Sequence, residues 1–333
     1  MAVQIADPTH LGGGRLDPRL RIFFRQAALH PQSLALNPDE ERALERKSHS
    51  GLRSLLIRRD RLGRVKDRFV PAQGRAIPIR IYTPAAQALV PMLIFLHGGG
   101  WVLGDLEQSD PACRRLAKRG KCIVISVDYR LAPEHKFPAA LEDALAVLDW
   151  AVEHAPELSG DPSRLGVAGG SAGGTLATAV CMEARQRYAI AFQILFNPVT
   201  DLSRMDTESH RQFGTGGYGI TTGTLKKRRE QYLNTQEERL DPRVSPLLAD
   251  DLRGLPSALI LTAEFDPLRD EAERYAERLE QAKVPVHCVR YQGAVHGFFN
   301  FIGWLPQATV ALEEAAFFIH SSNLQLPEIK RSV

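Results

Sequence analysis

Three side chains able to pass a proton between them, each at the end of an apolar run, are the chemically informative feature of this sequence. Ser171 lies in Gly169-Gly170-Ser171-Ala172-Gly173-Gly174, between the runs RLGVAG and TLATAVCMEARQ. G-x-S-x-G in that setting predicts a strand turning sharply into a helix, with the serine in strained backbone and its hydroxyl projected at the helix N-terminus. Flanking glycines supply the steric room. A glycine-rich turn that only packs closely reads the same way, so the serine by itself decides nothing. Its hydroxyl is a poor nucleophile until a base takes the proton, and the base needs an acid to orient it.

Both partners are found downstream, in the order nucleophile, acid, base. SALILTAEF runs into Asp266-Pro267-Leu268, an acid between a buried strand and a helix. VHCVRYQG runs into Ala294-Val295-His296-Gly297-Phe298, a histidine on a short loop between glycines at 293 and 297. Of the competing acids, Glu264 falls inside the apolar run and Asp270 a turn into the helix. Of the competing histidines, His287 is within a strand, His210 in a long inter-strand segment and His320 after the last helix. Asp266 and His296 are therefore the candidate acid and base.

Ester or amide cleavage also needs donors for the oxygen that becomes negative, one donor contributing about 3–4 kcal/mol. PMLIFL delivers His97-Gly98-Gly99-Gly100-Trp101, where consecutive glycines leave backbone N–H groups unobstructed. A dinucleotide loop is disfavoured, because G-x-G-x-x-G requires glycine where Leu103 stands. Gly98, Gly99 and the N–H of Ala172 are the expected oxyanion donors.

These residues have to be positioned by a sheet. From about residue 68 short apolar runs alternate with helical patterns: RAIPIRIYTP as an edge strand, then PMLIFLH, KCIVISVDY, RLGVAGG, AFQILFNPV, SALILTAEF and VHCVRYQG, with helices near 107–119, 137–154, 172–187, 268–282 and 307–320. Strands apolar throughout and separated by helices predict a mostly parallel central sheet in a three-layer α/β sandwich, with its active site beyond the carboxyl ends of the strands. Residues 1–60 carry helix-like spacing, as in LRIFFRQAALH and DEERALERKSHSGLRSLL, and no identifiable strand. They read as an N-terminal helical cap segment before a catalytic domain at 61–333, into which about 202–240 is inserted. Together the two extra pieces are expected to form a lid. Trp101, Phe213 and Tyr218, with Phe23 and Phe24, are candidates for the pocket lining.

Composition excludes several other classes. The chain has 333 residues, 44% hydrophobic and 24% charged, which are ordinary globular values, and its formal net charge of +3 is too small to imply a nucleic-acid partner. Basic residues do cluster between Glu41 and Arg68, but without interleaved aromatics, which predicts a solvated helical face and linker. Cys113, Cys122, Cys181 and Cys288 have no CxxC spacing and sit in or beside apolar runs, as reduced thiols do. MAVQIADPTHLGGGRLDPRL lacks a basic region followed by an apolar one, and no run approaches the ~20 apolar residues that span a bilayer. A cytoplasmic protein without a stable membrane anchor is the expectation.

The chain resembles the hormone-sensitive-lipase-like, or class IV, family of bacterial esterases. The resemblance rests on HGGGW at 97–101, DYRLAPEHKFPAALED at 128–143, GGSAGG at 169–174, LTAEFDPLRDE at 261–271 and AVHGF at 294–298, and covers roughly residues 70–320. It implies the α/β-hydrolase fold with a helical cap, and hydrolysis of short-acyl carboxylic esters through an acyl-serine intermediate, with no metal or organic cofactor. It implies that Asp128, Tyr129, Arg130 and Glu134 organise the loop beneath the site, and by analogy a homodimer. Gly170 departs from the pattern, since such enzymes most often carry aspartate before the serine. Non-catalytic ligand receptors on this fold, such as the plant gibberellin receptors, lose a triad member, typically the histidine; here Ser171, Asp266 and His296 all remain. An amide, a lactone or an acylated natural product stays open as the substrate, because fold and triad do not separate these chemistries.

Overall fold

Alternation along the strand Val90–Leu96 shows how the layers arise. Met92, Ile94 and Leu96 face one buried cluster and Leu93 and Phe95 the other, so this strand is covered on both sides. The computed structural model describes residues 2–10, 12–28, 36–50, 59–85 and 88–321. Its strands are β1 (Gln4–Ala6), β2 (Arg64–Ala72), β3 (Arg75–Thr83), β4 (Val90–Leu96), β5 (Ile123–Val127), β6 (Gly160–Gly170), β7 (Phe192–Phe196), β8 (Ser257–Phe265) and β9 (Val286–Val295). They form one sheet in the order β1-β9-β8-β7-β6-β4-β5-β3-β2. Pairing is parallel from β1 through to β5, and antiparallel where β3 meets β5 and β2.

The helices are α1 (Pro18–Ala28), α2 (Pro38–Ser50), α3 (Leu106–Arg119), α4 (Ala139–Glu153), α5 (Ala155–Leu158), α6 (Ala172–Ala184), α7 (Glu208–Phe213), α8 (Thr222–Tyr232), α9 (Arg269–Gln281) and α10 (Pro306–Ser321). α4, α6 and α9 supply Leu148, Leu176 and Tyr275 to the core on one face of the sheet. α3 and α10 supply Leu116 and Leu312 to the other. Each such side chain contributes about 1.5–3 kcal/mol on full burial, so the two cores fix the strand ends from which the reactive residues project.

The structure corrects the sequence reading at both sheet edges. Gln4–Ala6, in the segment expected to be free of strands, pairs with Val289–Tyr291 of β9; a strand of 3 residues is too short to show an alternation. Arg64–Ala72, read partly as a solvated basic linker, is the outer strand, and β3, expected at the edge, lies inside it. Exposure leaves room for charge on β2, and charge on an outer strand discourages pairing with other chains. Residues 51–58, with Arg53 and Arg58 and the end of the expected helical pattern, lie outside the described residues. His320 falls in the last turn of α10, not beyond it. Within 202–240 the chain forms α7 and α8, capped by the hydroxyls of Thr207 and Thr221.

Candidate active site

β6 ends at Gly170 and α6 begins at Ala172, leaving Ser171 alone on the turn with φ 54° and ψ −119°. A non-glycine residue in this region is strained, and only tight surroundings hold it there. Here they are very tight: a Cβ built on Gly169 would lie 2.1 Å from the Gly173 carbonyl oxygen, and one on Gly173 would lie 2.0 Å from that of Leu96. Ser171 occupies the N-cap position of α6, yet its side chain does not cap the helix. Its Oγ instead lies 2.9 Å from His296 Nε2.

His296 follows β9 and is turned by Gly297 in the left-handed conformation, φ 72°. Its Nδ1 lies 2.8 Å from Asp266 Oδ2. An ionised carboxylate only accepts, so Nδ1 carries the proton and Nε2 of the neutral ring is left to accept from the serine hydroxyl. Asp266 follows β8 and is buried, and it accepts from Leu268 N at 2.9 Å and from Asn197 Nδ2 at 3.2 Å. The end of β8 carries a register irregularity between Ala263 and Phe265, so Glu264 and Asp266 diverge. Glu264 accepts from the N–H of Gly14 and Gly293 instead. Asp270 is committed to Ser209 N and Arg269, His287 to Glu314, and His210 to Thr207.

Gly98 and Gly99 follow β4 in the wall of a cavity of about 230 Å³ that also holds Ser171, His296, Trp101 and Phe299. Gly99 has φ 120°, and a Cβ there would lie 2.2 Å from the Leu103 carbonyl oxygen, so no side chain fits. Ala172 opens α6, where backbone N–H groups have no acceptor within the helix. Beneath this loop Tyr129 donates to the His97 carbonyl at 2.8 Å and stacks on the His97 ring at 4.2 Å. Burial lowers the His97 pKa to about 4, which keeps the ring neutral. Arg130 is tied to Asp143 and Glu142.

Trp101 lines the cavity and stacks on Tyr232 at 4.4 Å. Phe213 and Tyr218, also expected there, are not among its lining residues; both pack on Phe265, at 5.5 and 5.2 Å, where an apolar surface accommodates the two rings. Phe23 packs on Phe301 and Trp304, and Phe24 approaches Gly219. Among the described residues no group of His, Cys, Asp and Glu side chains is arranged to hold a metal ion, and no helix is long and apolar enough to cross a membrane.

The sequence reading missed the contacts that α2 makes with this loop. Arg42 donates to the carbonyls of Val102 and Ala132, each at 2.8 Å, and grips Glu134 with both terminal nitrogens at 2.7 and 3.0 Å. Glu45 accepts from Gly104 N and Gln108 Nε2, at 3.2 and 3.0 Å, and burial raises its pKa. From α8, Arg228 brings its stem over Gly100, where a Cβ would lie 2.6 Å from Arg228 Cγ. Nothing local in the sequence announces these pairings.

Similarity to known proteins places the chain in a family. The family described as "alpha/beta hydrolase fold" matches residues 93–300. The carboxylic ester hydrolase LipN of Mycobacterium tuberculosis is 40% identical over 302 residues, 87% of this chain and 78% of its own. The ethyl acetate hydrolase of Pseudomonas putida is 40% identical over 245 residues, 72% of this chain and 76% of its own. A solved structure of the hyperthermophilic esterase from Pyrobaculum calidifontis superposes with a TM-score of 0.89 at 37% identity, over 93% of this chain and 99% of that one.

Proposed function

The chain belongs to the hormone-sensitive-lipase-like branch of the α/β-hydrolase family and is a carboxylic-ester hydrolase, and from that premise we propose that Ser171 is its nucleophile, His296 its base and Asp266 its orienting acid. The observation that carries this reading is the continuous path from Ser171 Oγ to His296 Nε2, 2.9 Å, and from His296 Nδ1 to Asp266 Oδ2, 2.8 Å, at the wall of the cavity. Both distances lie within proton-transfer reach.

His296 takes the hydroxyl proton as Ser171 Oγ attacks the ester carbonyl, and the N–H groups of Gly98, Gly99 and Ala172 stabilise the resulting oxyanion. Collapse breaks the bond to the leaving oxygen, which receives the proton from His296. Water then attacks the acyl-serine by the same base, releasing the acid and restoring the serine. Asp266 stays ionised throughout and stabilises the imidazolium.

We propose short-acyl esters as substrates. The cavity, about 230 Å³, is smaller than the roughly 300–1,000 Å³ of sites for drug-sized ligands, and one relative is named for ethyl acetate. α2 and α8 form the cap above it. We also propose a cytoplasmic location, supported by four buried free thiols. The direct test is turnover of p-nitrophenyl acetate, butyrate and octanoate against an arylamide, with mass-spectrometric mapping of a phosphonate inhibitor adduct. Preference for the shorter esters and an adduct on Ser171 are expected. An adduct elsewhere, or faster amide cleavage, contradicts the proposal.

A further inference from the structure

Gly170, directly before the nucleophile, has φ outside the left-handed region, so its backbone alone does not demand glycine. Space demands it. A Cβ built there would lie 2.4 Å from Cζ and 2.8 Å from Cε1 of Phe299. That ring is itself confined: it is buried, and stacked on Phe196 at 4.6 Å with 27° between the planes. It also lines the cavity beside Ser171 and Gly98.

Three other apolar walls of the cavity, Leu202, Ile220 and Leu225, come from the segment 202–240, and Trp101, Leu103 and Val199 from the loops after β4 and β7. Phe299 comes from the turn Phe298–Asn300 that follows His296-Gly297, so its position is tied to that of the base. A wall fixed to the histidine loop and resting on the end of β7 acts as a rigid gauge for whatever lies next to the serine.

Resting on the serine-esterase reading above, we propose that Phe299 is the specificity-determining residue of the pocket. Glycine at 170 lets the ring close against the chain beside the nucleophile, and the ring limits the size of the group next to the scissile carbonyl. Gly170 and Phe299 thus form one steric unit, and neither can change alone without consequence.

The test compares kcat/KM of the wild type, Phe299→Ala, Phe299→Leu, Gly170→Ala and the double variant Gly170→Ala/Phe299→Ala, using p-nitrophenyl esters of rising acyl length and acetates of rising alkyl length. In Phe299→Ala the ratio of the longest to the shortest substrate is expected to rise about tenfold or more in one of the two series, as removal of a hydrophobic wall allows. Phe299→Leu, the milder change, is expected to shift the same series by less and serves where the alanine variant does not fold. Gly170→Ala is expected to slow all esters, and the double variant to recover most of that loss. Unchanged ratios in a folded, active Phe299 variant, or a double variant no better than Gly170→Ala, overturn the proposal. Failure of the underlying reading has a different signature, the absence of ester turnover by the wild type.

Discussion

Glu41 on α2 and Arg228 on α8 form a buried ion pair above the glycine loop, their side chains 5% and 9% exposed. Lys227 reaches the other oxygen of Glu41 at 2.6 Å, and Arg228 also donates to Gln231. The pair joins α2 to α8, which are separated by more than half the chain.

Removing one partner of a buried pair leaves an uncompensated charge and costs about 3–5 kcal/mol, whereas replacing both with apolar residues is often neutral. Glu41→Ala is therefore expected to lower stability by that order in chemical unfolding, and Glu41→Met/Arg228→Met to restore most of it. A double variant as unstable as the single one would contradict this.

Arg42 holds two carbonyls and a carboxylate in a planar fork that the single ammonium of lysine cannot reproduce. Its contact with the Val102 carbonyl ends on the loop that carries Gly98 and Gly99, and its others on the neighbouring loop at Ala132 and Glu134, so the expected consequence of Arg42→Lys is catalytic. Full loss of an oxyanion donor costs about 10²–10³ in kcat, and a displaced one is expected to cost about tenfold, with KM little changed. Steady-state kinetics in a variant of near-normal thermal stability checks this. Full kcat with reduced stability would reduce Arg42 to an ordinary structural contact.

Burial, with Asp105 nearby, pushes the Asp128 carboxyl up to about 6 from its ordinary 3.8. The folded protein then holds this proton more tightly than the unfolded chain, so the contribution to stability is full below pH about 4 and is lost as pH rises through about 6. Asp128→Asn has no charge to bury. It is expected to match the wild type near pH 4 and to exceed it by on the order of 2 kcal/mol at pH 7. Unfolding free energies across that range measure the difference; a gap independent of pH would rule out this origin.

Much of this was legible in the sequence for one reason. Ser171, Asp266 and His296 each follow an apolar run that can only be a buried strand, and a parallel sheet brings such ends together. The helices 107–119, 172–187 and 268–282 were readable because their apolar faces are broad, and they are observed as α3, α6 and α9. Sheet edges were not readable, since β1 is too short for a pattern and β2 is too charged. Arg42, Glu45 and Arg228 look like surface charges on polar helices, and their partners lie far away in the chain. The reason for glycine at 170 was likewise invisible, because it is the ring of Phe299.

The most direct measurement is turnover of p-nitrophenyl butyrate by Ser171→Ala beside the wild type, with circular dichroism to establish that the variant is folded. On the proposed mechanism the substitution removes the acyl-serine route, and losses of about 10⁶ in kcat are the scale for such a group. A folded Ser171→Ala protein without detectable turnover is the predicted result. Hydrolysis retained at the wild-type rate would contradict the account at its centre.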